Sequence, residues 1–159
     1  MIKVENLSKS YGTTWALRNL SLTIDKGDMF GLIGPNGAGK TTLIKILATL
    51  LQPTGGTAHL DGAHVGKQGP KVRRAIGYLP DFFGVYEDMR VREYLEFFAS
   101  TYDLRNPERK KIIDGVLDLT DLGEKREALI GTLSRGMQQR LGLARVLVHD
   151  PKVLLLDEP

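Results

Sequence analysis

Hydrophobic positions follow two rhythms along this chain. Up to roughly residue 80 they alternate with polar residues or gather in short runs, and further on they return every three or four residues. Ile2–Leu7 alternates apolar and polar side chains, which predicts a half-buried strand, and Leu20–Ile24 repeats the pattern. Asp25-Lys26-Gly27 predicts a turn into Asp28–Ile33, which reads as a buried strand. Lys40–Leu50 predicts a helix with Leu43, Ile46, Leu47 and Leu50 on one apolar face, stopped by Gln52–Gly56. Thr57–Leu60 predicts a short strand closed by the turn pair Asp61-Gly62, and Ala75–Leu79 another strand.

From Val91 to Val148 the period is helical. Val91, Tyr94, Leu95 and Phe98 form one stripe. Pro107 opens a second helix with Ile112, Val116 and Leu119 on one side. Ser134 caps a third, whose stripe is Met137, Leu141, Ala144 and Val148. Lys152–Asp157 then returns to strand, and the unbroken run Val153–Leu156 fits a parallel strand buried on both faces. The predicted fold class is α/β. Residues 1–80 and 150–159 form a core with an antiparallel N-terminal β subdomain, and residues 81–149 form a helical insert.

Composition narrows the picture. A chain of 159 residues suffices for one domain with a real core. No apolar run approaches the ~20 residues needed to cross a bilayer; Lys45 interrupts the longest candidate. Met1–Glu5 reads as strand rather than signal peptide. The absence of cysteine excludes disulfides and agrees with a cytoplasmic location. Net charge is +3 with scattered basic residues, so Arg73-Arg74 and Arg109-Lys110-Lys111 read as solvated helix faces rather than a nucleic-acid surface.

The chemistry concentrates in three places. Gly34–Thr41 fits the phosphate-loop pattern G-x-x-x-x-G-K-S/T without mismatch. Its glycines let backbone N–H groups point at one anion, Lys40 adds a positive charge, and Thr41 offers a hydroxyl to magnesium. The alternative is a plain glycine-rich turn, which leaves the lysine, the threonine and the flanking elements unexplained. Val153–Glu158 places two carboxylates at the end of an apolar strand. Asp157 can hold magnesium and Glu158 can polarise a water for attack on a γ-phosphate. Acids often end strands, so this pair gains meaning only beside the phosphate loop. In Leu133–Arg140, a hydroxyl and a glycine at a helix start offer a further anion seat, or an ordinary helix cap.

The order of Gly34–Thr41, then Leu133-Ser-Arg-Gly-Met-Gln-Gln-Arg140, then four apolar residues and Asp157-Glu158-Pro159 resembles the nucleotide-binding domain of ATP-binding cassette (ABC) transporters. The resemblance covers essentially the whole chain. It implies a phosphate-loop NTPase core that binds ATP and Mg2+. Gly34, Pro35, Asn36, Gly37, Ala38, Gly39, Lys40, Thr41 and Thr42 would hold phosphates and metal. Lys40 and Glu158 would be catalytic, and Asp157 would assist the metal. Ser134 and Gly136 would reach the ATP of a second domain in a head-to-tail pair. Tyr11 matches the aromatic that stacks on adenine; as a residue it reads equally as a strand aromatic packed on the core. A membrane-spanning subunit would be the partner, and the location cytoplasmic, peripheral to the cell membrane. Gly77-Tyr-Leu-Pro-Asp81 leans toward exporter-type cassettes.

Three departures stand out. Asp81 occupies the place of a usual glutamine, either keeping its metal-sensing role with a shorter, charged side chain or serving as a simple loop acid. Arg135 replaces the first glycine of the signature. The chain stops at Pro159, and His59, His64 and His149 all precede Glu158, so none matches the family's late histidine. The expectation is an incomplete domain, poorly stable and weak or inactive as an ATPase alone, since losing a few hundred Å² of apolar burial at ~25 cal/mol per Å² costs several kcal/mol. Two other readings are a nucleotide-binding module that does not hydrolyse and a soluble cassette protein without a membrane partner.

Overall fold

The computed structural model describes residues 1–102, 104 and 108–158; Pro107, expected to open a helix, and Pro159 lie outside the described residues. The chain divides into two compact units, Met1–Ile76 and Gly77–Pro159, so residues 150–158 fall in the second.

The first unit is built on a four-stranded antiparallel sheet in the order β2-β1-β3-β4. Its strands are β1 (Ile2–Tyr11), β2 (Thr14–Ile24), β3 (Gly55–Leu60) and β4 (Ala63–His64). The first two run longer than their alternation suggests, because the pattern breaks at a bulge. Asn6 (φ 49°) and Asn19 (φ 46°) both take left-handed backbone. Ser8 turns inward, its hydroxyl 3.1 Å from Asn19 Oδ1 and accepting the Asn19 N–H at 2.9 Å. Leu7 and Ser8 are therefore both buried, which no strict alternation allows. Asp61 (φ 49°) and Gly62 (φ 74°) form the expected tight turn, with Leu60 paired to Ala63.

Helix α1 (Lys40–Leu47) buries Leu43, Ile44, Ile46 and Leu47. It ends earlier than the periodicity predicts. Thr49 adopts φ 63°, its N–H donates to Ile46 O at 3.0 Å, and the Leu50 N–H donates to Lys45 O at 2.9 Å. These two bonds close a Schellman motif and turn Leu50 outward. A second helix, α2 (Gly69–Ala75), was not evident in the pattern; it buries Val72.

Asp28–Ile33 departs from expectation. It forms no strand, Met29 and Ile33 are fully exposed, and Phe30 is half exposed. The sheet order gives it no strand partner among the described residues. An apolar run specifies burial only where a partner surface is present.

Strand β5 (Ile76–Leu79) leads the chain into the second unit and pairs with β6 (Val153–Leu156). The Asp157 N–H donates to Leu79 O at 2.9 Å, so the two strands end side by side. β6 is not buried on both faces as predicted: Leu155 is buried but Leu154 is 42% exposed. Among the described residues β5 is its one ladder partner.

Three helices make the second core: α3 (Val91–Ser100), α4 (Glu108–Leu119) and α5 (Arg135–Leu147). Val91, Tyr94 and Leu95 meet Leu141, Ala144 and Val148 there, as the stripes predict. On α4 the buried face is Ile113, Val116 and Leu117, not the predicted Ile112, Val116 and Leu119. Thr120 fills the buried position by donating its hydroxyl to Val116 O at 2.7 Å, and Leu119 turns to solvent.

Candidate functional site

In the first unit the chain leaves β2 through a turn in which the Asp25 N–H donates to Asp28 Oδ2 at 3.1 Å, and Gly27 takes φ 93°. It then reaches Gly34–Gly39. Gly37 (φ 81°) and Gly39 (φ 87°) bend it twice through left-handed backbone. The Ala38 N–H bonds Pro35 O at 3.2 Å inside the curl. Gly39 is required twice over: a Cβ there would overlap Ala16 O and stand 2.9 Å from Leu17 Cδ2. Around Gly37, by contrast, no heavy atom lies within 4 Å of a Cβ position.

α1 begins directly at Lys40 with Gly39 as N-cap, no side-chain cap and no acid in its first turn. Its partial positive charge is therefore left for an external anion. The Lys40 ammonium donates to Gly34 O at 2.6 Å and Pro35 O at 3.0 Å, bridging the mouth of the loop. Thr41 and Thr42 are half-buried in the same turn. Curl, uncapped helix and ammonium fit a polyphosphate, and the Thr41 hydroxyl suits a hard divalent cation. Tyr11, at the end of β1, is 53% exposed with the Lys9 ammonium 5.2 Å from its ring centroid. It is not a core aromatic, which removes one of its two readings.

The second unit carries the remaining residues. Asp157 is buried just beyond β6, and Glu158 is exposed with φ 53°. Burial chiefly, and the Asp157 charge secondarily, push the Tyr78 phenol above its ordinary pKa. Asp81 is exposed, two residues past Leu79, so Asp81 and Asp157 follow neighbouring strand ends. Among the described residues no three His, Asp or Glu side chains converge as a metal cluster.

Ser134 is the N-cap of α5, and its hydroxyl accepts the Met137 N–H at 3.3 Å. Ser134, Arg135 and Gly136 are all exposed. Behind them Arg140 donates to Asp121 Oδ2 at 2.7 Å, Asp121 O at 3.2 Å and Thr120 O at 3.4 Å, fixing α5 to the end of α4. Gly34–Thr42 thus form one constellation in the first unit; in the second, Asp157 and Glu158 follow β6, Asp81 follows its neighbour β5, and Ser134–Gly136 stand at the start of α5. Sequence reasoning passed over Phe83, which meets Gly142 and Arg145 of α5 two residues beyond Asp81.

The sequence pattern described as "ABC transporter" matches residues 17–159. The probable multidrug ABC transporter ATP-binding protein YbhF of Escherichia coli (strain K12) is 45% identical over 144 residues, covering 91% of this chain and 25% of that protein. The bacitracin transport ATP-binding protein BcrA of Bacillus licheniformis is 38% identical over 159 residues, covering all of this chain and 51% of that protein. A dimeric ATP-binding cassette, solved in a post-hydrolysis state bound to ADP and Pi, superposes with TM-score 0.84 at 28% identity, covering 98% of this chain and 73% of that one. The chain therefore spans between a quarter and about half of the length of these curated relatives.

Proposed function

This chain belongs to the ABC transporter family, and from that premise we propose that it binds and hydrolyses Mg–ATP as part of a transporter's nucleotide-binding domain. The observation that carries this reading is the loop itself: two left-handed glycines, an uncapped helix start and the Lys40 ammonium converge within nine residues, Gly34–Thr42. Relatives named for multidrug and bacitracin transport support an exporter role.

In this reading the amides of residues 37–42 and Lys40 hold the phosphate oxygens and draw charge toward the leaving group. A bound magnesium ion would neutralise the phosphates, with the Thr41 hydroxyl as ligand and Asp157 and Asp81 holding it directly or through water. Glu158 accepts a proton from the attacking water; its exposure leaves it open to solvent and nucleotide. Tyr11 stacks on the adenine. Ser134 and Gly136 face the nucleotide of a second ATP-binding domain in a head-to-tail dimer. A membrane-spanning subunit completes the assembly on the cytoplasmic face; among the described residues no helix is long and apolar enough to cross a membrane. Nucleic acid has no part in it.

Calorimetric titration of the full-length protein with Mg–ATP tests the reading. Saturable heat is expected, with affinity at least about tenfold weaker in Lys40→Ala, because a charged hydrogen-bond partner is lost. Equal titrations for both proteins would remove the assignment.

A further inference from the structure

The loop that carries Asp81 is fastened to α5. Phe83 packs on the helix backbone where Gly142 leaves room: a Cβ at 142 would overlap the Phe83 ring and stand 3.0 Å from Leu79 Cδ1. Gly142 and Arg145 lie three residues apart and so share a helix face. The Arg145 guanidinium sits 4.9 Å from the Phe83 ring centroid and 5.2 Å from that of Phe98 on α3. Its Nη1 donates to Tyr94 Oη at 3.3 Å. Among the described residues no carboxylate pairs with Arg145. Its charge is met by two aromatic faces and a phenol oxygen, in contacts that strengthen as water is excluded. The adjacent Phe82 is 85% exposed, so only one aromatic of the pair is committed to the helix.

Asp81 consequently stands between two anchors, two residues from each. On one side the Leu79 carbonyl accepts the Asp157 N–H; on the other Phe83 is seated on α5. A ring packed against a helix backbone cannot slide without opening a void. We propose that Phe83, seated on Gly142 and held by Arg145, is a positioning residue that makes the Asp81 segment travel with α5. The carboxylate after β5 and the Ser134–Gly136 end of α5 then respond to one displacement. This rests on the reading in which Asp81 acts toward bound magnesium or its water.

The test uses the full-length protein in its natural complex, with ATP hydrolysis measured across ATP and magnesium concentrations. Phe83→Leu is expected to lower kcat about tenfold while KM for ATP stays within about twofold. Phe83→Tyr, which keeps an aromatic face toward Arg145, should recover most of that loss. Gly142→Ala displaces the ring without altering it and should reproduce the kcat effect; it serves as the probe if Phe83→Leu does not fold. Asp81→Asn should itself lower kcat, and in its presence either latch substitution should add less than about twofold. A merely structural role would lower melting temperature but leave the kcat losses multiplicative. Multiplicative losses would overturn the latch while leaving the Asp81 reading intact. Wild-type kcat and magnesium dependence in Asp81→Asn would overturn both.

Discussion

Gly39→Ala is expected to destabilise the protein more than Gly37→Ala, although the two backbone angles are nearly the same, φ 87° and 81°. Left-handed backbone costs an L-residue about 1–2 kcal/mol, and at position 37 that is the whole effect, because a Cβ there meets nothing within 4 Å. At position 39 the same methyl overlaps Ala16 O and comes within 2.9 Å of Leu17 Cδ2. Ala16 lies in β2 at the irregularity between the Trp15–Ser10 and Leu17–Lys9 pairs, so the chain is held on both sides of it, and Leu17 is buried. Forcing extra volume into a packed site costs a further ~1–3 kcal/mol. The total approaches a large share of the ~5–15 kcal/mol that holds a typical domain together. Urea unfolding of the full-length protein without nucleotide separates the two contributions. Equal slopes with a lower midpoint are expected for Gly39→Ala than for Gly37→Ala, the difference giving the overlap cost. Coincident midpoints would refute the reasoning, since they would mean that close approach of β2 adds nothing to the need for glycine.

Other outcomes follow from the same geometry. Tyr11→Ala should weaken ATP binding by ~1–3 kcal/mol if its exposed ring carries the base, with Tyr11→Trp retaining affinity in the same calorimetric titration. Glu158→Gln should reduce phosphate release by about a hundredfold or more, while ATP affinity changes less than about threefold, because the group acts on the attacking water rather than on nucleotide binding. Burial holds the Tyr94 phenol above its ordinary value of 10.0, partly opposed by the Arg145 charge and hydrogen bond. A raised folded-state value favours the neutral phenol, so this share of stability is full below pH 10.0 and lost as pH rises through the folded value. Ultraviolet titration should show Tyr94 ionising above the free phenol, and Arg145→Gln should move it higher still.

The phosphate loop was legible because its chemistry dictates residue type at each step: only glycine serves at φ 87° against Ala16, and only a long cation bridges to Gly34 and Pro35. The stripes of α3 and α5 were legible because their buried positions are all apolar. On α4 the stripe was misread because Thr120 is buried through its own hydrogen bond, a polar residue in an apolar role. The end of α1 was hidden because Thr49 adopts a conformation that sequence signals assign to glycine or asparagine. Asp28–Ile33 shows the deeper limit. Its composition demands cover, but composition carries no information on which strand, if any, lies beside it. Phe83, Gly142 and Arg145 were invisible for a related reason: their meaning lies in contacts between residues some sixty positions apart, and no local period records such a distance.

The grip of Lys40 on its own loop has an experimental corollary. Because the ammonium already rests on two carbonyl oxygens, capture of an anion would exchange one set of oxygen partners for another. The same grip means that truncating Lys40 removes two hydrogen bonds to the loop's own carbonyls as well as its charge. Variants at this position therefore report two losses at once, and only a neutral side chain able to reach the same pair of carbonyls would tell them apart.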